Sequence, residues 1–400
     1  MLQFFSSSTG MVHSGKAIKH CLETALASED DLNCDLLVIH ASIGHDFQEL
    51  LKEAHSLCPG AVIVGCTGAG VVGKEGSNEQ MRGLAIMAVK ANDKSEFAVA
   101  YCENIRGYNS YEQAEIMAQT LKSQNDQVNM IMLLASGIDI AADQAIRGIE
   151  SVFGADIPIF GGTSSDNSKA ISSFQFFNQE ILERGAVVVG FADPSLELVS
   201  GANHGNVPIG MPFTVTKSES NQVFELDGED AWPFLMNKLD LPASTHPGQT
   251  IPIAGLGELI DDDLVEQYGN KLILRVIVKI SEDHKSFYMP VDCPVGTQLW
   301  LTKRDEERTF AGLDVLIGRI KDQIGDRKLA AVFHTDCVAR GRQLFNKIEK
   351  EEILKNMQEP LAGDKDIPWL GMYGFGEFTL LGGKNYFHNY TTSIYALVRA

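Results

Sequence analysis

Apolar positions along this chain change their spacing in a repeating order. Helical spacing opens at Ser14 to Ala27, where Ala17, Ile18, Cys21, Leu22, Ala25 and Leu26 share one face, the signature of a helix buried along one side. Continuous apolar runs predict buried strands at Asp35 to Ala41 and Ala61 to Gly65, with a helix from Phe47 to Leu57 between them. Strands at Gly83 to Val89 and Phe97 to Cys102 follow, then a helix at Tyr111 to Ser123. The order returns from Val128: a strand ending in Ala135-Ser136, a helix from Ala141 to Phe153, then Ile157-Pro158-Ile159-Phe160-Gly161-Gly162-Thr163-Ser164 where the first passage has Gly65-Cys66-Thr67-Gly68. Both passages lead through Arg-Gly, at Arg82-Gly83 and Arg184-Gly185, into an apolar strand. Further strands are expected at Phe174 to Asn178, Ala186 to Phe191 and Leu196 to Gly201. The pattern predicts an internal duplication over residues 30–110 and 125–205.

A seam is expected near Pro208 to Pro212. Beyond it, Phe213 to Thr216 and Val223 to Leu226 flank Ser218-Glu219-Ser220-Asn221, a hairpin signal. A short helix is expected at Glu229 to Leu239, and strands at Leu272 to Ile280 and Ser286 to Pro290. Ile251-Pro252-Ile253-Ala254-Gly255 has the look of a third copy. A clearer fourth runs from Leu329-Ala330-Ala331-Val332-Phe333 through a helix at Glu349 to Gln358 into Asp366-Ile367-Pro368-Trp369-Leu370-Gly371. Final strands are Thr379 to Leu381 and Thr391 to Val398. Helices separated by groups of strands suit mixed sheets rather than a purely parallel one. The expected fold is α/β (mixed α+β): two related lobes of mixed sheet covered by helices, residues 1–212 and 213–400, built from repeated units.

Composition narrows the function. Apolar residues make up 44% and charged residues 22%, with a formal net charge of −20, so neither nucleic acid nor an anionic membrane surface is an expected partner. No run of eighteen apolar residues predicts a membrane span, and the start, Met1 to Ser6, lacks a secretory signal. Seven scattered cysteines without Cys-x-x-Cys spacing read as reduced thiols. A cytoplasmic location is expected.

The motifs resemble the FIST family, sensory domains with an amino-terminal and a carboxy-terminal part, over roughly residues 30–390. The first part carries Val64-Gly65-Cys66-Thr67, Gly161-Gly162-Thr163-Ser164, His204-Gly205 with Pro208-Ile209-Gly210, and Val215-Thr216. Phe224 to Gly228 crosses into the second, where Cys337-Val338-Ala339-Arg340-Gly341, Gly371 to Glu377 and Phe387-His388-Asn389-Tyr390-Thr391 are the carriers. Ala339 departs from the glycine expected there. The resemblance implies signal input: a small ligand bound and reported to a partner. No output region is recognised, so the chain looks like a stand-alone member, similar to the nitric oxide sensing proteins (NosP) that bind haem and regulate a histidine kinase. The expected partners are therefore a small-molecule ligand, a signalling protein such as a histidine kinase, and a second copy of the chain in a homodimer.

Three sets of residues are candidates for the ligand. Cys66, Thr67, Gly162 and Thr163 would lie at glycine turns whose amides and hydroxyls suit a polar or anionic ligand; the bland reading is that strand ends need tight turns. Cys337, Arg340, Tyr373, Glu377, His388 and Asn389 form a polar group in which Arg340 suits a carboxylate and Glu377 an amino group, as in an amino-acid or other small-metabolite sensor. Its alternative is a buried Arg340–Glu377 pair that binds nothing. Haem is the third idea, with His204 as candidate iron ligand beside the small residues Gly201, Ala202 and Gly205, and His388 and His334 behind it. Cys58-Pro59 and Cys293-Pro294 are Cys-Pro pairs of a kind seen at some regulatory haem sites. A Cys-dependent hydrolase would need Cys337, His334 and Glu377 as nucleophile, base and orienter, with a turn at Asp336 to bring His334 and Cys337 onto one side. The carboxy-terminal part also resembles a region of certain F-box proteins, which admits a scaffolding role.

Overall fold

Three pairs of parallel strands organise the molecule, and a glycine occupies the same place in each. Leu36–Ser42 pairs with Val62–Gly68, setting Ile39 opposite Gly65. Met130–Ser136 pairs with Ile159–Ser164, setting Leu133 opposite Gly161. Lys328–Cys337 pairs with Trp369–Gly374, setting His334 opposite Gly371. A Cβ at these glycines would lie 2.0 Å from the Ile39 carbonyl oxygen, 2.4 Å from that of Leu133 and 2.8 Å from that of His334. Only glycine admits so close an approach of backbones. The glycine motifs therefore stand inside strands, a correction to the turns expected from the sequence.

The computed structural model describes residues 1–342, 345–363 and 366–399. Around each parallel pair the same six-stranded sheet is built. In the first, Leu84–Lys90 and then Gln3–Thr9 add antiparallel on one side. In the second, Ala186–Phe191 and Phe97–Cys102 take those places; in the third, Thr392–Arg399 and Leu196–Asn203 do. The other side of each sheet receives a hairpin from elsewhere in the chain. Gln175–Phe177 with Glu180–Leu182 joins the first sheet, and Gly376–Leu381 with Lys384–His388 the second. Val71–Gly73 with Gly76–Asn78 joins the third. The fold is thus mixed α/β with mixed sheets covered by helices.

Alternation of side chains fixes the layers. One face of each sheet meets the other two in a common core that includes Val38, Cys66, Met132, Phe160, Phe333 and Tyr395. The opposite faces are covered by helices: Ser14–Ala25 and Phe47–Leu57 on the first, Ser110–Gln124 and Ala142–Phe153 on the second, Glu306–Ile324 and Lys347–Ala362 on the third. Caps start them as composition requires. Asp46 accepts from the Glu49 amide at 3.0 Å, and Asn346 and Glu349 form a reciprocal capping box.

Between Leu196–Asn203 and Glu306–Ile324 the chain leaves the third sheet to make a separate, eight-stranded one. Its long strand Asn206–Glu219 pairs with Gln222–Leu226 and with Gln298–Arg304. The expected seam at 212/213 lies inside that strand. The apparent third copy at Ile251 is no parallel unit: Gly255–Leu259 pairs antiparallel on both sides within the inserted sheet. The inserted sheet has its own core around Trp232, Phe287 and Leu299.

Candidate functional site

The inserted sheet meets the ends of the second and third parallel pairs, and a cleft of three adjoining spaces lies along that junction. The smallest, about 20 Å³, is lined by Arg340, Asn206, Thr302, Arg304, Ile253 and Tyr390, among others. It shares Ile251, Ala339 and Tyr390 with an apolar space of about 40 Å³ that also touches Cys337, Val276 and Phe375. That space in turn shares Ile138 and Val278 with an outer vestibule of about 490 Å³, where Arg106, Arg184, Lys279 and Tyr288 stand. One water needs roughly 10–15 Å³ measured this way, so the two smaller spaces hold a few small atoms, and of the three the vestibule alone has the size of an ordinary ligand pocket.

Arg340 reaches this cleft from a short 3₁₀ turn, Val338–Arg340, directly after the third sheet's central strand. Its Nε donates to Asp336 Oδ1 at 2.8 Å, both side chains being buried. Arginine has further N–H donors, and Arg340 lines the smallest space. Burial pushes the Asp336 carboxyl up to about 6, with the guanidinium opposing the shift. The Arg340–Glu377 pair considered from sequence is replaced by Arg340–Asp336. Arg304 and Arg340 lie 4.4 and 5.9 Å from the Phe345 ring centroid, so two cationic groups share one aromatic ring.

Cys337 lines the apolar space, but its thiol is pushed far up by burial, then by the nearby Glu377 carboxyl. His334 sits elsewhere: its Nε2 contacts Thr392 Oγ1 at 3.0 Å, and burial lowers its pKa to about 3. The hydrolase constellation is therefore not assembled. Glu377 is fully buried, accepts from Thr391 Oγ1 at 2.6 Å and is held well above the usual carboxylate range, chiefly by burial. A carboxyl sealed inside the protein and bonded to Thr391 is out of reach of a ligand's ammonium group. Across the hairpin Glu377 faces His388, whose Nδ1 lies 3.2 Å from the Tyr268 hydroxyl and whose pKa is lowered by burial, then by Arg275 and His204. Neither Glu377 nor His388 lines the three spaces.

The other sequence candidates act as walls and braces. Asn389 accepts from the Val276 amide at 3.2 Å and donates to the Phe375 carbonyl at 2.9 Å, so it ties together two residues that line the apolar space. Tyr373 lies under Lys350, 4.0 Å from ring centroid to Nζ. Cys66 Sγ is in the common core, 3.2 Å from Met372 Sδ. Thr67 Oγ1 accepts from the Phe174 amide at 3.0 Å, while Gly162 and Thr163 pair with Glu377 and Gly376. These four hold the exchanged hairpins and stand outside the cleft. Sequence reading missed Ile138 and Val276, ordinary apolar residues whose only signal is position. It quoted Ile251, Phe375 and Tyr390 in motifs without assigning them to the ligand.

Haem ligation is tested by the histidine donors. His204 is buried, with Nε2 donating to the Leu272 carbonyl at 2.8 Å and Nδ1 accepting from the Asn206 amide at 3.1 Å. Burial lowers it to about 4. Both ring nitrogens are engaged, and the neighbouring glycines are filled: a Cβ at Gly205 would lie 1.9 Å from Thr309 Oγ1, and one at Gly201 2.7 Å from Leu316 Cδ1. His204 does not fit the part of an iron ligand. Among the described residues no cluster of three or more metal-ligating side chains occurs. No described helix is long and apolar enough to cross a membrane.

Comparison with known proteins agrees with the sequence motifs. The chain is similar to an uncharacterized Mycobacterium bovis protein, 24% identical over 60% of this chain, which thereby spans 61% of that relative's length. An uncharacterized Mycobacterium tuberculosis protein is 21% identical over 90% of both chains. Among solved structures, cyanuric acid hydrolase from A. caulinodans aligns with 50% of this chain and 72% of its own, at 9% identity and a TM-score of 0.29. The FIST N domain matches residues 35–229 and the FIST C domain residues 234–379, so the chain belongs to the FIST family of sensory domains.

Proposed function

We propose that this chain senses a small organic anion with an apolar body, a short-chain carboxylate or related metabolite, in the cleft between the inserted sheet and the body. The observation that carries the reading is the position of Arg340 at the end of a space that adjoins an apolar one through Ile251, Ala339 and Tyr390. A carboxylate would take the guanidinium donors left beside the Asp336 pair, and an alkyl body of a few carbons would lie against Val276, Phe375 and Tyr390. Because the inserted sheet forms one wall, a ligand that prefers a closed cleft would shift that sheet's position. The signal would pass to a separate partner, for which a histidine kinase is the proposed class. The amino-acid version of this reading lacks a group for the ammonium end, since Glu377 is fully buried away from the cleft.

The test is thermal unfolding of the protein with a series of carboxylates of increasing chain length and the matching amides. Ligands that prefer the native state raise Tm. The expected result is a rise for carboxylates that grows with chain length and is absent for amides and in Arg340→Met. Equal effects of acid and amide would reject it. A Soret band from added haem that disappears in His204→Ala without unfolding would favour haem sensing instead.

A further inference from the structure

The vestibule beside the apolar space, about 490 Å³, brings together three cationic side chains, Arg106, Arg184 and Lys279, in a chain whose net charge is −20. Arg106 and Arg184 belong to the second unit. The Ile105 amide donates to the Arg184 carbonyl at 2.7 Å and the Gly107 amide to the Asp139 carbonyl at 2.8 Å, so this segment is laid along the second Arg-Gly motif. Asn104 Oδ1 accepts from Arg106 Nε at 2.8 Å, which fixes a guanidinium that has further N–H donors. Arg184 is held 3.1 Å from Asp139, whereas neither Arg106 nor Lys279 has a carboxylate partner among the described residues. Glu219 is the other carboxylate on the walls. Lys279 stands on the inserted sheet, its Nζ 4.4 Å from the Tyr288 ring centroid. Tyr108 lines the same cavity with 82% of its surface exposed, against 40% for Tyr111.

From this arrangement we propose that the vestibule is a second ligand site, one that takes a nucleoside monophosphate. The phosphate would lie among Arg106, Arg184 and Lys279, where guanidinium groups offer paired donors and the ammonium a point charge. The base would lie against the face of Tyr108 or Tyr288, since every base has a π-face that stacks on an aromatic ring. Cations outnumber carboxylates on these walls by three to two, so the cavity attracts an anion that the rest of this acidic chain repels. Three cations, one of them shared with Asp139, match a doubly charged phosphate better than a triphosphate. Long nucleic acid stays excluded by the net charge, while the volume suits one nucleotide. Because Arg106 and Arg184 stand on the body and Lys279 on the inserted sheet, a bound phosphate would tie the two together. The site is complete without Arg340 and holds whether or not a carboxylate binds there.

The experiment titrates the folded protein calorimetrically with AMP and GMP, and with adenosine and inorganic phosphate as the separate halves. The two nucleotides are expected to bind within a few-fold of each other, and each half about tenfold or more weaker. Arg106→Met and Lys279→Met should each weaken AMP about tenfold, as loss of a charged hydrogen bond requires. Tyr108→Ala should weaken AMP and leave phosphate unchanged. Lys279 and Tyr108 are exposed, so their replacement spares the core, and far-UV circular dichroism checks each variant. Arg340→Met should bind AMP as the unmodified protein does, which separates this site from the carboxylate cleft. No binding of either nucleotide, nucleotides no tighter than phosphate alone, or AMP affinity unchanged in both Arg106→Met and Lys279→Met would overturn the assignment.

Discussion

Arg340 Nε stands 2.8 Å from Asp336 Oδ1, four residues away along the chain, in a place where both are almost sealed from water. A buried pair of this kind is weak evidence for net stability, but removing one partner is costly because a charge is left alone. Asp336→Asn is expected to lower stability by about 3–5 kcal/mol, measured by urea unfolding at pH 7. Arg340→Met leaves a carboxyl that can escape its charge by taking a proton, so its deficit should shrink at pH 5. An Arg340→Met deficit that grows as pH falls would contradict the pairing.

Gly161 is held by two constraints. Its φ is +119°, and a Cβ there would press on the Leu133 carbonyl of the parallel neighbour. Gly161→Ala is expected to cost about 1–3 kcal/mol for crowding and a similar amount for backbone strain. Gly65→Ala meets the crowding alone. Calorimetry should rank Gly161→Ala below Gly65→Ala, and both below the unmodified protein.

His204 bridges the third sheet's outer strand to the inserted sheet through Leu272 and Asn206. His204→Ala strands a buried carbonyl and a buried amide, worth roughly 1–3 kcal/mol each. A lowered unfolding midpoint is expected, without loss of carboxylate binding to the protein that stays folded. Carboxylate affinity that collapses in a folded His204→Ala protein would place this residue in the ligand site.

Acid should destabilise the protein before its carboxylates titrate normally. His40, His204 and His334 are lowered by burial to about 3, 4 and 3, so the unfolded chain takes up protons near pH 6.5 that the folded one refuses. Stability is therefore lost as pH falls from about 6.5 towards 4. Asp336, raised to about 6, works in the opposite sense, because its folded form takes the proton first. Three groups outweigh one, and Glu377 and His388 oppose each other. Each unbalanced proton is worth about 1.4 kcal/mol per pH unit. The urea midpoint should be lower at pH 5 than at pH 7.

Legibility in the sequence followed the range of the interactions. The helix at Phe47–Leu57 and the strands at Phe97–Cys102 and Ala186–Phe191 stand where apolar spacing put them. The 19-residue helix Glu306–Ile324 was missed, although its capping Asp305 and its buried Leu313, Ile317, Ile320 and Ile324 carry the period. Short hairpin strands such as Val71–Gly73 and Glu180–Leu182 gave little signal, because three residues are too few to show a period and the sheets these hairpins join come from other parts of the chain. In the site, Cys337 and Arg340 were readable because ionisable or reactive residues at a strand end are conspicuous. Their true neighbours were not: Asp336 meets Arg340 because the chain turns at Val338–Arg340, and the apolar wall of Ile251, Val276 and Phe375 is assembled from segments far apart in the chain.

The hairpins travel in a circle. The first unit lends its pair to the third sheet, the third lends to the second, and the second lends to the first. Cutting the chain near residue 212 would therefore strip the amino-terminal piece of the hairpin that seals its second sheet, and expose the bare edge of Ile159–Ser164. Three interlocked parts of this kind melt as one body, and a change felt at any single strand end is mechanically shared by all of them.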